Sequence, residues 1–208
     1  MNRLQISIAA GLMLILGSGL AFAGPLDNLL TNGSFEEGVF QLPETHAYSR
    51  QIREQGWAVD DPVVQPEGWC ITPLAGQSGA FRLTEDSKES HSGLRSVYLK
   101  GHLIQERKLD ASAGDQLELT YWSRSDTGSD VCLKIFAYGQ NANGEDVWLD
   151  ELKEIQIHSA GAEWEKISEK IKVPAKINNE AVVALKAVLY STQGAFFDDV
   201  EISVSSTP

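Results

Sequence analysis

The chain is 208 residues long and 42% hydrophobic, enough for one domain with a substantial core and short for two. Its 29 acidic residues outnumber its 17 lysines and arginines, giving a formal charge of -12. That charge repels nucleic acid and anionic membrane surfaces at long range, which excludes a reader of phosphate backbones and favours a neutral partner or a cation.

Residues 1–23 have the layout of a signal peptide: a basic Arg3, an apolar run over 6–20, and Ala21-Phe22-Ala23 as a small-x-small cleavage site. The expectation is an exported protein, secreted or periplasmic, whose mature part is one domain over residues 24–208. No later stretch approaches the roughly 18 apolar residues of a membrane span, so the mature chain is expected to be soluble. No cysteine follows the apolar run, which argues against a lipid anchor.

The mature part opens on Asn32-Gly33-Ser34-Phe35-Glu36-Glu37-Gly38. Residues 40–66 follow as a long segment of irregular character that reads as an insertion. It holds the one helix candidate, residues 45–55, where Ala47, Tyr48 and Ile52 share a face.

From residue 68 onward the pattern is of short alternating strands. Period-two hydrophobicity or β-branched enrichment marks 96–100, 103–109, 116–123, 131–138, 167–173, 182–190 and 196–204. Turn residues at Gly93, Gly114, Gly128, Asn143-Gly144, Gly161 and Gln193-Gly194 separate them. Many short strands with such punctuation predict an all-β antiparallel sandwich. Asn141-Ala142-Asn143-Gly144-Glu145-Asp146 lacks the acidic spacing of a calcium-binding helix-loop-helix and reads as a polar hairpin turn. Trp57 and Trp148 read as surface anchors, Trp69 and Trp164 as core, and Glu151, Lys153 and Glu154 as a solvated face.

Cys70 and Cys132 are the only cysteines. In an oxidising compartment they allow one disulfide, provided their Cα atoms fall within about 4.4–6.8 Å. Spacing alone leaves bridged and free states open. The four histidines are scattered, and none has metal-ligand spacing with a cysteine.

The order of Asn32-Gly33-Ser34-Phe35-Glu36, Gly68-Trp69, Ser90-His91-Ser92-Gly93, Leu117-Glu118-Leu119-Thr120-Tyr121-Trp122, Trp164 and Phe197-Asp198-Asp199-Val200 resembles the carbohydrate-binding modules of the calcium-containing β-jelly-roll type, families four, nine and twenty-two, within the galactose-binding-like fold. The resemblance covers most of the mature chain, and residues 40–66 depart from it. It implies a structural calcium held by the Ser34 carbonyl, the Glu36 carboxylate, a carbonyl at Ser92 or Gly93, and the Asp198 carboxylate. Oxygen-only ligation suits a hard cation. Strand parity places Asp198 with Val200 and Ile202, pointing inward, where a lone carboxylate is costly. The alternative is that Asp198 accepts backbone hydrogen bonds or pairs with a lysine.

Parity also assigns faces. In 117–124 the core side takes Leu117, Leu119 and Tyr121, leaving Glu118, Thr120, Trp122 and Arg124 outside. In 131–138 it takes Val131, Leu133, Ile135 and Ala137, leaving Cys132, Lys134, Phe136 and Tyr138 outside. If the two strands pair as a hairpin, one outer face mixes aromatics with charges. Such a surface can stack a pyranose ring and hydrogen-bond its hydroxyls. The candidate ligand-binding residues are therefore Trp122, Tyr138, Arg124 and Glu118, followed by Phe136 and Gln105, on the concave face that a jelly roll presents.

The leading expectation is a non-catalytic carbohydrate-binding module that takes a polysaccharide or oligosaccharide and carries a structural Ca2+. The alternative is an envelope or extracellular-matrix structural protein that binds protein or surface polymer with the same sandwich. An enzyme ranks last, for want of a nucleophile elbow, a phosphate-binding loop or a supported carboxylate pair.

Overall fold

The computed structural model describes residues 28–41, 54, 58–59, 64–71, 79–152 and 155–205. The helix predicted over 45–55 lies outside these except for Glu54, as do Trp57, Lys153, Glu154 and the signal peptide. Among the described residues no helix is long and apolar enough to cross a membrane.

Apart from Glu54, which is helical, the regular elements of the described chain are strands, in the order β1 (Val39–Gln41), β2 (Ala58–Val59), β3 (Val64–Pro66), β4 (Trp69–Ile71), β5 (Ala80–Thr84), β6 (Ser96–Gln105), β7 (Gln116–Arg124), β8 (Ser129–Gln140), β9 (Asp146–Glu151), β10 (His158–Ala160), β11 (Glu165–Lys172), β12 (Lys176–Ile177), β13 (Glu180–Ala181) and β14 (Ala184–Ser205). The antiparallel sandwich is thus as expected.

Two strands are longer than the sequence pattern predicts. Residues 96–100 and 103–109 read as separate strands, yet β6 runs unbroken through Gly101. Likewise Gln193-Gly194 reads as a turn, but β14 continues past it for 22 residues in all, with a register shift between Ser191 and Ala195. Because β6 and β14 pair along both halves, they run through both layers. Their upper layer is β9-β8-β14-β6-β4, in which β14 residues 184–191 pair with β8 and β4 pairs with β6. The lower layer is β11-β7-β14-β6-β5, in which β14 residues 196–205 pair with β7.

The core lies between the layers. From β7 come Leu117, Leu119 and Tyr121, and from β8 come Val131, Leu133, Ile135 and Ala137, all essentially buried as alternation requires. Trp69 is fully buried with its ring 5.7 Å from Phe35. Trp164, expected in the core, is half-buried on the outside of the lower layer, against Phe196.

The opening Asn-Gly-Ser-Phe motif is a structural clasp. Asn32 accepts Trp69 Nε1–H at its carbonyl (3.1 Å), accepts Glu37 N–H at its side-chain oxygen (3.0 Å), and donates to Glu67 O (3.3 Å). Gly33 O accepts Val200 N–H at 2.9 Å, and a Cβ at position 33 would drive into the Val200 carbonyl. The backbones of chain start and chain end touch here with no space for a side chain. Gly33→Ala is therefore expected to cost about 1–3 kcal/mol, read as a lower urea midpoint; an unchanged midpoint would contradict this account.

Candidate functional site

The loop over residues 91–95 is held by carboxylates from both ends of the chain. Glu36 Oε1 accepts the N–H groups of Leu94 and Arg95, each at 2.7 Å. Asp198 Oδ2 accepts those of His91 (2.8 Å) and Ser92 (3.0 Å), and Asp198 Oδ1 accepts that of Asp199 (2.7 Å). Asp199 takes the loop's side chains, at 2.8 Å from both His91 Nδ1 and Ser92 Oγ.

The inward orientation expected for Asp198 is corrected. A bulge between Asp198 and Glu201, with Asp199 at φ 46°, breaks the strand parity, so Asp198 pairs with Trp122 on the outer side. It is fully buried nonetheless, because the 91–95 loop covers it. Burial pushes its carboxyl up to about 6, opposed by the Ser92 N–H and reinforced by the neighbouring Asp199 charge.

As a calcium site this donor set is partial. Glu36 and Asp198 supply oxygens, but the N–H groups occupy one oxygen of Glu36 and both of Asp198. Among the described residues no three acidic, histidine or cysteine side chains converge as metal ligands. Backbone carbonyls such as those of Ser34 and Gly93 would have to complete the shell.

The candidate ligand residues do not form one face. β7 pairs with β11 and β14, not with β8, so the two strands lie in opposite layers and the expected hairpin is overturned. Trp122, Arg124 and Glu118 sit on the outside of the lower layer. There Trp122 is covered by the His91 ring, stacked at 3.7 Å and 16°. Arg124 lies over Phe196 at 4.3 Å and pairs with Asp126, and Glu118 pairs with Lys170 at 3.2 Å. All three are spent on neighbouring side chains. Gln105 is fully buried; its amide donates to Gly68 O at 2.7 Å, which makes it a fold residue.

Phe136 and Tyr138 occupy the outside of the upper layer. Paired residues in a sheet project to one side, so the registers generate rows across this face. One row is Ala184, Tyr138 and Trp148; the next is Lys186, Phe136 and Glu151. The row after that is Cys70, Ile104, Val188 and Lys134, and the last is His102, Tyr190 and Cys132. Trp148 is 54% exposed and meets Phe136 edge-on at 6.3 Å. Lys134 bonds Glu151 at 2.8 Å and lies 4.5 Å over the Tyr190 ring. Glu151, expected to be merely solvated, is thus part of a polar line beside an aromatic platform. Sequence reasoning placed Trp148 on the surface but did not connect it to Tyr138. The connection comes from the β8–β9 hairpin, whose turn Asn141 closes by accepting the Asn143 and Glu145 N–H groups.

The same rows overturn the candidate disulfide. Cys70 and Cys132 lie on β4 and β8 with β6 and β14 between them, about 14 Å apart at the usual strand spacing. Both thiols are free, and burial raises the pKa of each.

No family model matches the sequence, and no curated protein matches it. Solved structures do match. The chain is similar to the CBM22-1 xylan-binding domain of Paenibacillus barcinonensis Xyn10C, at 16% identity and a TM-score of 0.52 over 89% of this chain and 99% of that one. It is also similar to part of the enzymatically active domain of bacteriophage CBA120 tailspike protein 4, at 12% identity and a TM-score of 0.52 over 86% of this chain and 21% of that one. The fold is thus the β-jelly roll of the carbohydrate-binding modules, and at these identities the likeness is one of fold.

Proposed function

We propose that the protein is a non-catalytic carbohydrate-binding module whose contact surface is the β8–β9 end of the upper layer's outer side, where Phe136, Tyr138 and Trp148 lie. The observation that carries this reading is Trp148, a large aromatic left 54% exposed beside Phe136 and Tyr138 on a jelly-roll sheet, next to the polar line of Lys134 and Glu151. The apolar face of a pyranose stacks on such a ring, and its hydroxyls reach the polar line. Trp148→Ala is expected to abolish retention on insoluble polysaccharide and in affinity electrophoresis, while its exposure leaves the melting temperature within a degree or two of wild type. Retention equal to wild type would defeat this reading and favour a protein or surface-polymer contact through the exposed Trp148, Val147 and Val183.

Two further elements belong to the proposal. The first is export, with mature N-terminus at Gly24, checked by mass spectrometry of the extracytoplasmic fraction; an uncleaved chain would refute it. The second is a structural calcium at the clasp, with Glu36, Asp198 and the carbonyls of Ser34 and Gly93 as its oxygens. EDTA is then expected to lower the melting temperature, and Glu36→Gln to remove that response. A melting curve indifferent to EDTA would assign the clasp to hydrogen bonds alone.

A further inference from the structure

Three lysines border the aromatic platform of Phe136, Tyr138 and Trp148, and two of them are neutralised. Lys108 Nζ lies 2.7 Å from Asp146, which shares the outer side of β9 with Trp148. Lys134 Nζ lies 2.8 Å from Glu151 and sits over the Tyr190 ring. The third is Lys186, which is half-buried and, among the described residues, makes neither an ion pair nor a hydrogen bond. Its register partner on β8 is the apolar ring of Phe136, and the carboxylate at the far end of that row, Glu151, is already taken by Lys134. Glu106 is exposed and forms no ion pair among the described residues. A cation held among rings without an anion is less well solvated than one standing free in water, and gains more from a partner that arrives.

Position decides what this ammonium can reach. Tyr138 stands opposite Ala184 and Phe136 opposite Lys186, so Lys186 is the diagonal neighbour of Tyr138, about 7–8 Å away. The flexible stem of a lysine spans most of that separation, which brings its charge to a substituent of a sugar ring stacked on Tyr138. An ammonium offers donors only, and its strongest partner on a sugar is a carboxylate. The formal charge of -12 restricts what can deliver that carboxylate. A polyuronate is repelled along its whole length. An isolated carboxylate on a neutral chain instead meets Lys186 at contact, well inside the Debye length of about 8 Å, while the neutral units stack on the rings. We infer that Lys186 is a specificity-determining residue of the contact face, selecting a neutral glycan backbone that carries sparse carboxylate substituents. The inference rests on the glycan-binding reading above and adds the class of glycan.

The test is isothermal titration of the full chain with two probes that differ by one acidic group: xylohexaose, and the same backbone carrying a single glucuronic acid branch. Wild type is expected to bind the branched probe about tenfold more tightly, a difference of 1.4 kcal/mol. That preference is expected to shrink as sodium chloride is raised. Lys186→Gln is expected to bring the two affinities within about twofold of each other, and Lys186→Arg to keep most of the preference. Lys170→Gln, on the opposite layer, is expected to keep all of it. Equal wild-type affinities overturn the inference, as does a preference that survives Lys186→Gln or is lost equally in Lys170→Gln. A galacturonate hexamer bound more tightly than the branched probe overturns the sparse-carboxylate class. Trp148→Ala separates the two claims: binding of both probes lost there, with equal affinities in wild type, preserves the contact face and refutes only the role of Lys186. Wild type that binds neither probe refutes both.

Discussion

Asp198→Ala is expected to cost about 3–5 kcal/mol, because it removes the buried acceptor shared by the N–H groups of His91, Ser92 and Asp199 on the inner side of the 91–95 loop, each hydrogen bond to a charged group contributing about 1.5–3 kcal/mol. All three donors now bond the Asp198 carboxylate, within 3.0 Å. Losing it should also free the 91–95 loop at one of its two anchors, leaving Glu36 to hold the other end alone. Asp198→Asn retains one acceptor oxygen and is expected to lose much less. Urea unfolding of the three proteins, with hydrogen exchange at His91 and Ser92, measures both effects. A loss below about 1 kcal/mol for alanine, with exchange at the two amides unchanged, would mean that the loop is held without this carboxylate.

The second large effect is a pH dependence at His102. It is 5% exposed, lies 4.6 Å from the Tyr190 ring, and has a buried Nδ1 without a partner among the described residues. Burial first, and then the Lys134 charge, lowers its pKa from 6.5 to about 4. A histidine with a depressed folded pKa is neutral in the native state. Its stability is complete above 6.5 and is lost as the pH falls through 4, by about 3 kcal/mol in total. Asp198 acts in the opposite direction, since its carboxyl is pushed up to about 6 and the folded state gains as it takes up a proton. The two nearly offset each other in the wild-type profile, so the histidine must be isolated by comparison. His102→Phe keeps the ring against Tyr190 and removes both the titration and the orphaned nitrogen. Between pH 7 and pH 4 the wild type is expected to lose about 3 kcal/mol relative to this variant. Parallel urea curves at both pH values would refute the assignment.

Much of this architecture was legible in the chain, and the failures have physical causes. Alternation in 117–121 and 131–137 identified core and outer residues correctly, because a buried face imposes period two wherever a strand is regular. The same alternation says nothing about which strand lies alongside. β7 and β8 are neighbours in sequence and look alike, yet they face each other across the core instead of pairing. That error joined Trp122 to Tyr138 on one imagined surface. The parity of Asp198 failed for a local reason, a bulge at which Asp199 takes a left-handed conformation. Cys132 read correctly as a strand residue and Cys70 was assigned to no strand, but in either case their separation depends on the order of four strands, which no local pattern contains. Trp148 was legible as exposed because it stands in a short polar hairpin. The significance of Lys186 was not, since which lysines find a carboxylate is a property of packing.

The course of β14 has a consequence for how the molecule is made. This strand, running from Ala184 to Ser205, hydrogen-bonds β6, β7 and β8, and so closes both layers at once. Every one of those partners lies at least some forty residues earlier in the chain, so its contacts are non-local and loop closure must precede them. Until these last residues are available, β7 and β8 have no common neighbour and their apolar sides remain uncovered. A nascent chain stalled before Ala184 should therefore be protease-sensitive along its entire length, and become resistant in a single step once β14 emerges. The sandwich has no early half that can fold and wait.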